Sequence, residues 1–286
     1  MTWRELLFYK VSEPVPGGRR IETGLFERMA PPVKKKDAER PSGVQQSTLE
    51  RFQGIIRRVV SKDDERSSLV DDIACVVGAE ILEGLRRPGS DLNSVELSRR
   101  FSTSRTPTRE AVVILEKEGL VEILPRRRPR VADLSISEIR EIYRVRAAML
   151  GLIAAEVARL ATDTDIAELR AILSEMERAD TAGDRDGYYW ANVNFHERFA
   201  DLARNKTLQR ILESLALRSL RLRRLTLSTP GRSHRSLADH ARLVGALADR
   251  DGELASALIK ANVLGALKLL EQLLADDTPD AKAESE

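Results

Sequence analysis

From Ser135 to Ala275 the apolar residues recur at helical spacing with only short breaks, and this run constrains the fold more than any other feature of the chain. It divides into six candidate helices over 136–160, 163–179, 185–202, 208–227, 236–248 and 252–275. Turn signals separate them at Thr162-Asp163, Gly183, Asn205, Pro230-Gly231 and Asp251-Gly252. A helix with one apolar stripe must bury it against another element, so six in succession predict an all-helical domain. The composition agrees. Only 4% of the residues are aromatic, while Ala, Leu and Arg abound, and pleated surfaces need β-branched and aromatic side chains.

The stretch before Ser135 has a different rhythm. Leu69, Ile73, Val76, Val77, Ile81 and Leu85 lie at helical spacing and are stopped by Pro88 and Gly89. Asn93 or Ser94 can cap a short second helix that turns Leu97 and Phe101 inward. Residues 102–104 form a turn. A third helix starts at Thr106 or Thr108 and buries Ala111, Val112, Leu115 and Leu120. Two short strands, 121–124 and 130–132, are joined by an arginine-rich tip. Three helices and a hairpin make a winged helix-turn-helix. The expected fold is therefore mainly α, with a winged helix-turn-helix over 66–134 and an all-α bundle of six to seven helices over 135–276.

The two ends read differently. Pro14, Pro16, Pro31 and Pro32, with Gly17 and Gly18, break the chain before Lys34-Lys35-Lys36. Residues 45–60 could form a helix, but their apolar pattern is thin, so 1–65 is expected to be a flexible extension. Residues 277–286 are expected to be a disordered tail.

Bulk properties narrow the function classes. The formal net charge is +2, so a nucleic-acid surface would have to be a local patch. Cys75 is the single cysteine and lies in an apolar helical stretch, which excludes a disulfide framework and suits a reducing cytoplasm. No apolar run approaches the roughly 18 residues of a membrane span, and no secretory signal is visible at the start.

The local patch lies at the third helix. Arg105 and Arg109 are four apart and share one face near the helix N-terminus. That end also presents free N–H groups and the positive end of the macrodipole. Ser104, Thr106 and Thr108 add short hydroxyl donors, and Arg126, Arg127, Arg128 and Arg130 charge the hairpin. Arginine can grip phosphate or fork onto guanine, the latter being worth roughly 1–3 kcal/mol of base discrimination. All nine residues are candidate contacts to double-stranded operator DNA. Taken alone, the arginines could be a solvated face. The preceding helix, turn and charged hairpin favour DNA.

Here a resemblance becomes specific. Glu96-Leu97-Ser98-Arg99-Arg100-Phe101, followed by Ser104-Arg105-Thr106-Pro107-Thr108-Arg109-Glu110-Ala111, resembles the DNA-binding domain of the GntR family. Leu115-Glu116-Lys117-Glu118-Gly119-Leu120-Val121 is similar to the end of its recognition helix and the entry to its wing. The resemblance implies DNA contacts by Arg105, Thr106 and Arg109, with the wing in the minor groove. Two positions depart from the pattern: Arg128 stands where many relatives have a wing-tip glycine, and Ser102-Thr103 replaces a glycine-valine pair.

The second half resembles the FCD effector domain of FadR-like members. Tyr143-Arg144-Val145-Arg146, Asn192-Val193-Asn194-Phe195-His196 and Asp239-His240 carry that likeness. It implies a homodimer, a small organic-acid effector and often a divalent metal such as zinc, nickel or manganese. By position the metal ligands fall on Asn192, His196, His240 and Asn262. Asparagine replaces an anionic ligand at the first and histidine at the last, and a neutral amide is a weak donor. His196 and His240 could instead hydrogen-bond across a polar cavity or hold the effector with Asn192. Arg146 is the expected carboxylate anchor, because a guanidinium forks onto carboxylate and this one lies among apolar residues. Leu150 stands where relatives often have glutamate. Arg218, Arg221, Arg223 and Arg224 spread over more than one helix face and read as solvated or close to the DNA domain, and His234 reads as solvated.

The sequence thus points to a ligand-responsive transcription regulator. Two other readings are a regulator with a degenerate, non-sensing pocket and a metal-dependent hydrolytic enzyme on the bundle. The second has no His-Glu-x-x-His motif, phosphate loop or nucleophile elbow to support it.

Overall fold

The computed structural model describes residues 43–60 and 68–275. The tail over 277–286 and the whole segment before Gly43 lie outside the described residues. Ten helices and one two-stranded sheet make up the described fold.

The first helix, α1 (Gly43–Val60), corrects the reading of a flexible extension over 43–60; the rest of 1–65 lies outside the described residues. Phe52, Ile55 and Ile56 are spaced to share one stripe, and all three are buried. Ile56 sits against α2 (Leu69–Glu83) where Gly78 lacks a side chain; a Cβ there would lie 2.8 Å from Ile56 Cδ1 and 3.0 Å from Leu115 Cδ2. Arg57 pairs with Asp72 of α2 at 2.8 Å. The other end of the stripe meets the bundle, since the Phe52 ring lies 4.9 Å from that of Trp190 and 6.1 Å from that of Tyr189. Helix α1 therefore straps the two halves of the molecule together.

The winged-helix elements follow from their caps. Ser68 and Asp71 form a capping box at the start of α2, and Gly84 ends it at φ 83°. Asn93 caps α3 (Ser94–Arg100) through Val95 N–H. Helix α4 (Arg105–Lys117) begins at Arg105, one residue ahead of the earlier of the two expected starts, with Ser104 at its N-cap. The hairpin is shorter than expected: β1 (Val121–Glu122) and β2 (Arg130–Val131) pair antiparallel with Val121 opposite Val131. A bridge between Asp91 and Arg130 ties the hairpin root to the segment after α2.

Six helices complete the chain: α5 (Ile136–Leu160), α6 (Asp163–Ala182), α7 (Arg185–Leu202), α8 (Lys206–Leu227), α9 (Arg232–Ala248) and α10 (Gly252–Ala275). Capping boxes at Ser135/Glu138 and Thr162/Asp165 fix two of the starts. Helix α9 starts four residues earlier than expected, directly after Gly231 at φ 75°. Helices α5 and α10 pack along much of their length, α6 lies on α7 and α9, and α8 runs from the bundle to the winged helix. Among the described residues no helix is long and apolar enough to cross a membrane.

Candidate nucleic-acid interface and ligand cavity

The first turn of α4 is an exposed end of the winged helix. Arg105, Thr106 and Arg109 are exposed, and Ser104 has no side-chain capping bond, so its hydroxyl is available outward. Thr108 does not belong to this surface. It is wholly buried and donates its hydroxyl to the Arg105 carbonyl at 2.9 Å, a local back-bond that turns the side chain inward.

The wing presents Arg126, Arg127 and Arg128, all exposed. Arg126 takes φ 61°, so the left-handed residue of the tip is Arg126 rather than Arg128. Arg128 lies 3.8 Å from Asp91 at the surface. Arg130 is a correction of a different kind. Its guanidinium folds onto Glu122 through bonds of 2.9 and 3.2 Å, so it fastens the hairpin instead of pointing away from it. Sequence reasoning passed over Arg99, which is exposed at the end of α3 with no ion pair among the described residues. Its neighbour Arg100 is held by Glu80, which also accepts from Arg86. Burial alone would raise the Glu80 carboxyl, but these two guanidiniums hold it below its usual range.

A cavity of about 30 Å³ lies in the bundle, between α5, α7, α8, α9 and α10. Its wall includes Arg146, Asn192, His196, Arg223, Arg232 and Asn262. The expected anchor Arg146 and three expected pocket residues are thus brought together, while His240 stands behind His196, almost fully buried. Arg223 and Arg232 were not foreseen. Arg223 comes from the cluster read as solvated or near the DNA domain, and no member of that cluster is exposed.

The three cavity arginines are poorly partnered. Among the described residues Arg146 makes no ion pair; it stacks over Tyr143 with its guanidinium 5.7 Å from the ring centre. Burial lowers its pKa to about 10, with Arg223 adding repulsion. Burial likewise lowers Arg223 and Arg232. Arg232 donates once to the Asn262 carbonyl at 3.1 Å, leaving Nε and Nη1 buried without partners.

The histidine pair has a defined proton arrangement. His240 Nδ1 lies 2.6 Å from the Ser236 carbonyl, which can only accept, so Nδ1 carries the proton. Burial lowers the His240 pKa to about 4 and pushes His196 well down, so both rings are neutral near pH 7. His240 Nε2 is then an acceptor, and His196 Nε2, 3.3 Å away, must donate to it. His196 Nδ1 is left buried with no partner.

A divalent metal does not fit these residues. Ligation through both Nε2 atoms would move the His196 proton to Nδ1, where no acceptor waits, whereas ligating histidines almost always donate their second N–H. Three guanidiniums also crowd the same space, adding positive charge where a cation would sit. Among the described residues no group of three or more His, Cys, Asp or Glu side chains is placed to hold a metal.

Helix α8 joins the cavity to the winged helix. Arg221 donates to the Ala132 carbonyl at 3.1 Å. Arg224 bonds Glu83 at 3.0 Å and Asp186 at 3.1 Å. Arg218 lies against Gly119, where a Cβ would come within 2.6 Å of Arg218 Cδ. Arg221 and Arg224 share a face one turn apart, and Arg223 points the other way, into the cavity.

Comparisons with known proteins match each of the two halves of the chain. The model described as "Bacterial regulatory proteins, gntR family" matches residues 69–131, and the FCD domain model matches 141–264. The gluconate operon transcriptional repressor of Bacillus licheniformis is 32% identical over 165 residues, which cover 55% of this chain and 68% of the repressor. The chain belongs to the GntR family. An uncharacterized HTH-type transcriptional regulator of Bacillus subtilis, YdhC, is 32% identical over 134 residues, 46% of this chain and 60% of that regulator. The solved structure of Escherichia coli McbR/YncC shares the fold at a TM-score of 0.60 and 21% identity, covering 72% of this chain and 99% of that one. As a GntR protein with an FCD domain, the chain is a DNA-binding transcription regulator.

Proposed function

We propose that this regulator works in the cytoplasm as a homodimer on double-stranded operator DNA, and that a small organic acid in the bundle cavity sets its affinity. The observation that carries the reading is helix α8, with Arg223 in the cavity and Arg221 and Arg224 bonded to the DNA domain. Ligand contacts that move α8 must then move the winged helix. A ligand shifts the equilibrium only by its preference for one arrangement, so the effector has to bind the DNA-free arrangement more tightly for release. Two copies place two recognition helices on two half-sites. Large apolar side chains left exposed on adjacent helices, Val145 and Leu152 of α5 and Leu264 of α10, suit a surface that a second copy covers.

The test is a titration of small carboxylates into a complex of the full chain with a genomic fragment that it selects. Release by at least one acid in the wild type, and none in Arg146→Met, supports the reading. Equal release in both proteins removes Arg146 from the sensing site. A regulator with a non-sensing pocket is the second reading, favoured by the small volume of the cavity. It predicts no release by any acid.

A further inference from the structure

The cavity carries more positive charge than a carboxylate anchor requires. Arg146, Arg223 and Arg232 face the same space from three different helices. The carboxylates nearby do not cancel them. Glu197, the weakest of the influences that stabilise the Arg223 charge, is already engaged by Arg58 at 2.9 Å, and Asp239 is engaged by the Asn262 amide while lying close enough to Arg232 to offset one charge. Three guanidiniums against one carboxylate leave an excess of about two positive charges in a buried site, which is costly unless a ligand neutralises it.

The donors are also in place. Arg232 offers two buried N–H groups without partners, and Arg146 adds a guanidinium with no hydrogen-bond partner among the described residues. Asn192 adds an amide, and the unprotonated Nδ1 of His196 is a lone pair that a protonated ligand oxygen could meet. The volume of about 30 Å³ corresponds to two or so water positions, so the occupant is compact and the flexible arginine side chains withdraw to admit it.

We propose that the cavity binds a compact dianionic oxyanion directly on Arg146, Arg223 and Arg232, with the guanidiniums doing the charge compensation that a metal would otherwise do. The inference rests on the reading of this cavity as the sensing site. It adds the charge of the ligand and the absence of a bridging metal. Inorganic phosphate and short dicarboxylates share this chemistry.

The experiment uses the full chain, purified without a His-tag and dialysed against EDTA. Calorimetric titrations with inorganic phosphate, malonate, succinate and acetate are run at matched ionic strength, before and after addition of zinc, nickel or manganese. At least one dianion binds with the same affinity with and without metal, and at least about 30-fold more tightly than acetate. Which dianion binds distinguishes a phosphoryl group from a dicarboxylate. Arg223→Met weakens binding at least about 10-fold, and Arg232→Lys, which keeps the charge but loses the fork, falls between it and the wild type. Circular dichroism checks the fold of each variant, and the wild-type titrations stand without them. Binding that requires metal overturns the direct contact and leaves the sensing reading intact. Acetate binding as tightly as the dianions overturns the charge match. No binding of any of these anions, with or without metal, overturns both.

Discussion

Replacing Glu83 by glutamine tests the junction between the DNA domain and the bundle. Glu83 closes helix α2, is 5% exposed, and shares the single guanidinium of Arg224 with Asp186. Its second oxygen is buried without a partner, so the ionised form is under-satisfied. Burial pushes the carboxyl up, and Arg224 recovers only part of that cost, leaving a pKa of about 7 against 4.5 for an ordinary glutamate. At 1.36 kcal/mol per pH unit this corresponds to roughly 3 kcal/mol. The folded-state value is raised, so the stabilisation is complete below about pH 4.5 and disappears as the pH climbs through about 7. Denaturant unfolding of the wild type and Glu83→Gln at about pH 5 and about pH 8 therefore gives a difference that changes by roughly 2–3 kcal/mol, with the wild type losing ground at the higher pH. Comparing the two proteins removes every other titrating group. A difference that stays constant to within about 0.5 kcal/mol would show that Glu83 titrates like an ordinary surface carboxylate, and the account of a strained, shared latch would fail.

Other parts of the structure make separate predictions. Arg127→Ala removes an exposed wing-tip charge, so the slope of log affinity against log salt should shrink by about 0.9 per protomer, with similar losses on all sequences; an unchanged slope takes Arg127 off the DNA. Ser102 sits at φ 50° in the turn before α4, so Ser102→Gly should raise stability by up to about 1 kcal/mol, and a clear loss would contradict the strain argument. Cys75 is fully buried and its thiol is pushed up to about 11, so a thiol reagent at about pH 8 should label it only at the rate of unfolding; labelling within seconds of mixing would show that the α2 core opens readily.

The helices of the bundle were legible because spacing and caps agreed. The ranges expected for α5, α7 and α10 coincide with the observed bounds, and each starts beside a Ser, Asp or Gly turn signal. Helix α1 was legible only as a possible helix over 45–60, and its packing was not, because its stripe of Phe52, Ile55 and Ile56 is narrow and flanked by arginines. What makes that stripe a core is supplied by α2, Tyr189 and Trp190, far away in sequence. Thr108 looked like a DNA donor because its hydroxyl type fits, but an i−3 back-bond on the inner face decided otherwise. Arg146 stood out as an arginine among apolar residues. Arg223 did not, because it lies in an arginine-rich run whose faces are assigned only when α8 is wedged between two domains. The histidine protons depend on one carbonyl, that of Ser236, which no spacing rule reveals.

The most direct test of the account is DNA binding by the first turn of α4. Genomic fragments selected by the full chain are measured against a scrambled duplex at about 0.15 M salt, for the wild type and for Arg105→Ala/Arg109→Ala. Each forked arginine is worth roughly 1–3 kcal/mol, so the double variant should lose at least about 30-fold on the selected fragment and far less on the scrambled one. Equal affinity of both proteins for the selected fragment would contradict the assignment of this surface to DNA.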